Sequence, residues 1–396
     1  MAMNPGKKNP RIALFLPSLN IGGVERVMLN LAAGLVRWGA SVDLVLANAQ
    51  GEYVHQIPPD VRLVDLRSRR VAASLLPLVY YLRTAKPEGL ISAKDYANVV
   101  AIQAKFLSRI STRLVVSVHT TLSRHVQYAK GLREKRIVPL IARWLYPHAD
   151  HIVAVSNGVA DDLAQFLELP RDRINVIYNP ALSEDLFTAA QEPVNHPWFA
   201  PGSPPVIISI GRLTRAKDYP TLIAAFAKVR QQRNVRLAIL GDGEERNCLQ
   251  NLVQRLGLES DVWLPGFMNP PYPYLARSSL LVLSSIWEGL PTAIIEALAL
   301  GIPVVSTDCP GGPREILCNG DLGELVPVGD IDALADAILR ALERPPDPAP
   351  MRERAKQFTM DDAVVKYLAL LGFRASDDHN EPSASRGESR CYESRG

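Results

Sequence analysis

The sequence predicts an α/β chain built from two doubly wound, parallel-sheet domains, and three observations carry that prediction. Short apolar runs such as Val42–Ala47, Leu114–Val118 and Leu280–Leu283 alternate with longer amphipathic stretches. That is the rhythm of strands buried on both faces and joined by helices. A chain of 396 residues, 47% hydrophobic and 21% charged, is globular and long enough for two cores. Between Gln191 and Pro205 five prolines stand among polar residues, which marks a linker between those cores.

Arg11–Pro17 is the first strand. Lys7 and Lys8 precede it, but its apolar run is too short for a signal-peptide core or a membrane span. The following loop ends in Gly22-Gly23, a pair that allows a tight turn and close backbone approach to a ligand. It lacks the G-x-G-x-x-G spacing of a dinucleotide fingerprint. Val24–Trp38 is an amphipathic helix closed by Gly39. Val42–Ala47, Leu63–Leu66 and Gly89–Ser92 follow as strands, with an apolar stretch Leu75–Leu82 before the last. Leu114–Val118 is a strong strand, and His119 comes directly after it, where side chains of a parallel sheet face a cleft. His151–Val155 and Ile174–Tyr178 are strands, separated by a helix over Val159–Phe166 that starts at Ser156-Asn157-Gly158.

Val206–Ile210 opens the second domain, with Arg212 and Lys217 at its mouth. A guanidinium offers bidentate bonds to phosphate, and an ammonium adds a mobile point charge. Tyr219–Arg230 is a helix, and the strand Arg236–Leu240 ends in Gly241-Asp242-Gly243. Val262–Leu264 leads into Pro265-Gly266-Phe267-Met268, and Val304–Thr307 is a buried strand. The helix Ile331–Leu342 is broken by the run Pro345–Pro350. Asp330-Ile331-Asp332 begins that helix and reads as a cap rather than a metal site. Met360–Leu371 is a last amphipathic helix, and the polar tail from Ala375 reads as disordered. The expected division is 1–190, a linker 191–205, 206–358, a helical segment 359–373 and a tail 374–396.

The densest signal is Ser285–Glu296. Here the buried strand Leu280–Leu283 feeds a helix Thr292–Leu300, with Pro291 suited to its first position and Gly301 to its end. A strand running into a helix N-terminus makes a place for an anion, because free N–H groups and the positive dipole end point the same way. Glu288 and Glu296 bracket that place. Eight residues at the helical rise separate them by about 12 Å. The acid/nucleophile pair of a retaining glycosidase needs about 5–5.5 Å. The wider spacing suits two ends of one extended ligand whose charged middle sits on the helix, the layout of a sugar nucleotide.

This stretch resembles the E-x7-E motif of the retaining glycosyltransferases of family 4, which have the two-domain GT-B fold. Gly301–Ser306 and Gly311-Gly312-Pro313-Arg314-Glu315 resemble the same family, and the similarity runs from about Arg11 to Phe373. The resemblance implies two Rossmann-like domains facing each other across a cleft, with the last helix crossing back onto the first. It implies that Arg212, Lys217 and the helix start at Thr292 and Ala293 grip a donor diphosphate. Glu296 would bind the ribose, Glu288 the donor sugar, and His119 the transferred sugar or acceptor. Gly22 and Gly23 would approach the donor phosphates. Gly241 and Gly243 match a nucleotide-side turn, and Phe267 and Met268 the loop that reads the base, although Phe267 also suits a core. Glu315 has no assigned role. Leu290-Pro291 stand in the donor loop where many relatives carry Phe-Gly, and Pro291 removes one N–H from that loop. Tyr178-Asn179-Pro180 departs from the family's Pro-Asn-Gly, so that turn is assigned nothing.

Charge adds an acceptor side. Met1–Ala149 carries 21 Lys and Arg against 8 Asp and Glu, whereas the whole chain is only +3. A basic half beside an acidic half suggests an anionic partner for the first. Arg124–Arg136 and the following Ile137–Tyr146 interleave basic and apolar residues, a pattern that fits an anionic membrane surface or a solvated basic helix face. Nucleic acid is the weaker candidate, since no recognisable binding module accompanies the charge. Four cysteines without metal-like spacing point to a reduced, cytoplasmic compartment. The expected activity is metal-free, retaining transfer from a nucleoside diphosphate sugar, UDP-linked by expectation, to a glycolipid or polysaccharide precursor. A sugar-nucleotide epimerase and a non-catalytic nucleotide-binding module are the alternatives.

Overall fold

A computed structural model describes residues 9–128, 131, 140–182 and 185–373. Much of the basic stretch Arg124–Arg136, the start of Ile137–Tyr146 and the whole tail from Ala375 lie outside the described residues.

The chain forms two all-parallel sheets. The first contains β1 (Arg11–Leu16), β2 (Ser41–Leu46), β3 (Val61–Asp65), β4 (Gly89–Ala93), β5 (Arg113–Val118), β6 (His151–Ala154) and β7 (Ile174–Val176). Their order across the sheet is β3-β2-β1-β4-β5-β6-β7. The second contains β8 (Val206–Ile210), β9 (Arg236–Leu240), β10 (Val262–Gly266), β11 (Leu280–Leu283), β12 (Val304–Thr307) and β13 (Glu324–Val326), ordered β10-β9-β8-β11-β12-β13. Each order reverses once, between β1 and β4 and between β8 and β11. Loops diverge at such a point and leave a crevice at the strand C-termini. This is the GT-B architecture of two Rossmann-like lobes.

Alternation along the strands builds the layers. In β1, Ile12, Leu14 and Leu16 pack into one core, and Ala13 and Phe15 into another. The first of these cores lies against the helices Gly23–Arg37 and Met360–Leu370. In the second sheet Ile207, Ile239 and Val282 face a core completed by Tyr219–Gln232 and Ile331–Glu343. Ile208, Leu240 and Leu283 face the other way, into a core continuous with the first lobe. The last helix therefore belongs spatially to the first lobe. Its Met360 and Val364 pack where Gly34 leaves room, and Asp361 pairs with Arg37 at 2.8 Å.

Three expectations need correction. The run Pro345–Pro350 ends one helix but also begins another, Pro348–Ala355, because Asp347 caps it and Pro348 occupies its first turn. Pro291 lies one position earlier than expected, as the N-cap of Thr292–Leu300 with φ −69° and ψ 106°. Strand β3 starts two residues before the expected Leu63, at a sheet edge where only Val61 is buried and no hydrophobic run announces it. Among the described residues no helix is long and apolar enough to cross a membrane.

Glu315 has a structural role that sequence reading did not find. Its carboxylate accepts from the Asn157 backbone N–H at 2.8 Å, from Asn157 Nδ2 at 2.5 Å and from the Tyr178 hydroxyl at 2.5 Å. One acid of the second lobe thereby gathers three donors of the first.

Candidate active site

The loops after β1, β8 and β11 meet in a cavity of about 290 Å³ between the lobes. Both topological reversals open onto it, so its walls come from the strand C-terminal edges of both sheets, where parallel-sheet geometry favours ligands.

The second lobe supplies the acidic and cationic wall. Ser284, just past β11, donates to the carbonyls of Lys217 and Asp218 at 2.8 and 2.9 Å, tying the β11 loop to the β8 loop. Glu288 Oε1 accepts from Lys217 Nζ at 2.5 Å and from Ser285 Oγ at 2.6 Å. The helix Thr292–Leu300 has no side-chain cap, and Thr292 and Ala293 line the cavity with its first turn. Uncapped N–H groups and the positive end of the dipole suit an anion there. One turn on, Glu296 is 2% exposed and its Oε1 accepts no hydrogen bond among the described residues. Burial pushes this carboxyl above the usual range, and the Arg26 guanidinium, 3.5 Å away, opposes the shift.

The first lobe answers with Arg26 and His119. Arg26 lies in the first turn of Gly23–Arg37 and reaches across the cleft. It donates to the Tyr272 hydroxyl at 3.2 Å and to Asn269 Oδ1 at 3.1 Å. Its guanidinium also stands 5.9 Å from the Tyr53 ring centre and 5.5 Å from that of Tyr272. His119 Nε2 is 3.0 Å from Ser117 Oγ, and its buried Nδ1 has no partner among the described residues. Burial, aided by the nearby Lys94 cation, pushes the imidazole pKa down to about 3, so the ring is neutral. Lys94 is itself paired with the buried Glu25.

Backbone contacts hold the lobes against each other around this cavity. A Cβ at Gly289 would collide with the carbonyl oxygen of His119. Ser156 Oγ donates to the Gly289 carbonyl and Asn179 Nδ2 to that of Leu290, each at 3.3 Å. Tyr128 stacks on Trp287 with ring centres 4.9 Å apart and planes 7° from parallel. Arg215 lies 4.7 Å from the same tyrosine ring.

Of the residues expected from sequence, Gly22, Gly23, His119, Arg212, Lys217, Gly241, Phe267, Met268, Glu288, Leu290, Thr292, Ala293 and Glu296 all line the cavity. Gly243 does not; a Cβ there would collide with the Leu213 carbonyl, so it serves packing between loops. The tight turn expected at Gly22-Gly23 is also absent. Gly22 is extended at φ 174°, a conformation open to any residue, and the space above Gly23 is open. Phe267 packs its edge against Tyr53 with ring centres 5.9 Å apart, which makes it part of the first lobe's core as well as of the wall. Arg212 is exposed on the cavity wall. Sequence reading missed Arg26, Tyr53 and Asn179. Arg26 had a signal, a Glu25-Arg26 dipeptide directly behind the glycines, and Asn179 sat in the motif set aside for its departure from the family.

The chain matches the model of Glycosyltransferase Family 4 over residues 21–181 and that of Glycosyl transferases group 1 over residues 192–358. It is 35% identical over 246 residues to the uncharacterized glycosyltransferase MJ1059 of Methanocaldococcus jannaschii, covering 60% of this chain and 59% of that one. It is 29% identical over 343 residues to a Campylobacter jejuni protein, covering 84% of this chain and 90% of the relative. That relative is N-acetylgalactosamine-N,N'-diacetylbacillosaminyl-diphospho-undecaprenol 4-alpha-N-acetylgalactosaminyltransferase. Anabaena Alr3699/HepE, solved in complex with UDP, shares the fold with a TM-score of 0.69 at 23% identity, over 92% of this chain and 99% of that one. With two family models spanning most of its length and both acids of the motif on one cavity between two Rossmann-like lobes, the chain belongs to the family 4 glycosyltransferases.

Proposed function

We propose that the protein transfers a sugar, with retention and without a metal, from a UDP-linked donor to a lipid-linked or polysaccharide precursor. The observation that carries this reading is the convergence on one cavity of Glu288, Glu296, Arg212, Lys217 and the uncapped helix start at Thr292. The diphosphate rests on that helix start between the two cations. Glu296, buried with an oxygen to spare, accepts from ribose hydroxyls, and Phe267 and Met268 flank the base. Glu288 and His119 hold the sugar. As the bond from the anomeric carbon to the diphosphate oxygen breaks, its electron pair passes to the diphosphate. Preorganised cations and amides are worth most against that growing charge. The acceptor hydroxyl attacks the face the diphosphate leaves, and its proton goes to the departing phosphate oxygen. The UDP complex of the Anabaena protein supports the base, and the diphospho-undecaprenol substrate named for the Campylobacter relative supports the acceptor class.

The acceptor side is basic, and near it Leu140 and Trp144 are 58% and 71% exposed. Apolar side chains beside a basic segment suit contact with an anionic membrane face. Cys248 and Cys309 form no disulfide among the described residues, in keeping with a cytoplasmic site of action. The test is a panel of sugar nucleotides incubated with and without a lipid-diphosphate acceptor, chelator present throughout. Acceptor-dependent release of UDP with an axial-to-axial product is expected. Donor turnover without acceptor, activity lost to the chelator, or an inverted product would overturn the corresponding part of the proposal.

A further inference from the structure

We propose that Tyr367 and Ser117 are positioning residues that hold His119 in the tautomer with its proton on Nδ1, so that neither ring nitrogen has a lone pair free to act as a base. The inference deepens the reading of His119 as a contact to the sugar or acceptor and rests on it.

Ser117 and His119 sit two apart at the end of β5, so their side chains leave the strand on the same face. Ser117 Oγ lies 3.0 Å from His119 Nε2 and 3.0 Å from the Tyr367 hydroxyl. Tyr367 comes from the last helix, 250 positions along the chain, and both Ser117 and Tyr367 are buried. The three side chains form one line of hydrogen bonds from the crossing helix to the cavity wall.

Proton counting orients that line. Burial pushes the Tyr367 phenol up to about 12, so it keeps its proton. Among the described residues its hydroxyl has one partner, Ser117 Oγ, and a buried donor is costly to leave unpaired. Tyr367 therefore donates to Ser117. Ser117 has one proton of its own, and the remaining partner is His119 Nε2, which must then accept. A neutral imidazole has a single N–H, so the proton is on Nδ1. That atom is buried, unpartnered among the described residues, and belongs to a ring that lines the cavity. A ring so arranged has no free lone pair, because Ser117 takes that of Nε2 while Nδ1 carries the proton and is sealed off. It cannot take the acceptor's proton, which agrees with the leaving phosphate as the proton's destination.

The test is two-bond proton–nitrogen correlation spectroscopy on the full chain labelled with 15N-histidine. The His119 signals among the 7 histidines are assigned with His119→Gln. A pyrrole-type Nδ1 and a pyridine-type Nε2 are expected in the parent protein without any substrate. Tyr367→Phe removes the terminal donor and lets Ser117 turn round, so the Nε2–H form should appear. Turnover should fall about three- to tenfold, the worth of one hydrogen bond, with the KM for donor unchanged. A parent spectrum showing Nε2–H, or a Tyr367→Phe spectrum identical to the parent's, overturns the relay. Because the spectrum needs no substrate, that failure is separate from failure of the proposed transfer, which is read as unchanged turnover in His119→Ala.

Discussion

Removing Lys217 should separate its ion pair with Glu288 from the phosphate contact proposed for the same ammonium. Its Nζ lies 2.5 Å from Glu288 Oε1, with the lysine side chain 20% and the glutamate side chain 10% exposed. Taking one partner from a buried ion pair costs about 3–5 kcal/mol, mostly from the charge left behind. The cavity admits water, so Lys217→Ala should lie at or below the low end, at about 2–3 kcal/mol of unfolding free energy. Adding Glu288→Gln removes the stranded charge, and the double variant should recover most of that loss. Nucleotide affinity should behave differently. A charge-assisted bond to phosphate is worth about 1.5–3 kcal/mol, so the Kd for UDP should rise about 10- to 100-fold. It should stay raised in the double variant, because the missing cation is still missing. Urea unfolding of the parent and the two variants and calorimetric titration with UDP measure both quantities. Equal stability losses in the single and double variants would refute the ion-pair reasoning, and an unchanged Kd would remove Lys217 from the donor site.

Three further outcomes follow from particular contacts. Gly289→Ala drives a methyl into the His119 carbonyl, so it should cost about 1–3 kcal/mol in thermal unfolding and lower turnover more than UDP affinity. Glu315→Ala strands two Asn157 donors and the Tyr178 hydroxyl, and should destabilise by about 1–3 kcal/mol in urea, with Glu315→Gln costing less. His119, depressed from 6.5 to about 3, binds a proton in the unfolded chain at a pH where the folded chain binds none. Stability must therefore fall as pH drops from 6.5 towards 3, by about 1.4 kcal/mol per unit. Between pH 7.5 and 5, His119→Gln should lose about 2 kcal/mol less than the parent protein, and an equal loss in both would show that the imidazole is charged when folded.

Elements whose forces are local could be read from the chain. Arg236–Leu240, Leu280–Leu283, Thr292–Leu300 and Val304–Thr307 have the bounds expected of them, because short apolar runs there end at glycine, serine or proline. Edge strand β3 was harder, since a half-exposed strand has no need of a hydrophobic run. The second-lobe wall of the site was likewise visible, as Arg212, Lys217, Glu288 and Glu296 all follow strands of one sheet. What escaped was whatever depends on the two lobes meeting. Arg26 gains meaning from Asn269 and Tyr272, 243 and 246 positions away, and Glu315 from Asn157 and Tyr178, 158 and 137 positions away. The glycines show the opposite limit: Gly22 and Gly23 line the cavity without the expected tight turn and Gly243 packs between loops, because permissive residues do not reveal whether a turn, a close packing contact or open space is the reason for them.

A crystal structure with UDP soaked into the cleft tests the central claim most directly. The β-phosphate should lie against the backbone N–H groups of Thr292 and Ala293, within reach of Arg212 and Lys217, with a ribose hydroxyl donating to Glu296 Oε1. A diphosphate bound away from that helix start, or a Glu296 Oε1 that still accepts no hydrogen bond in the occupied cavity, would contradict it.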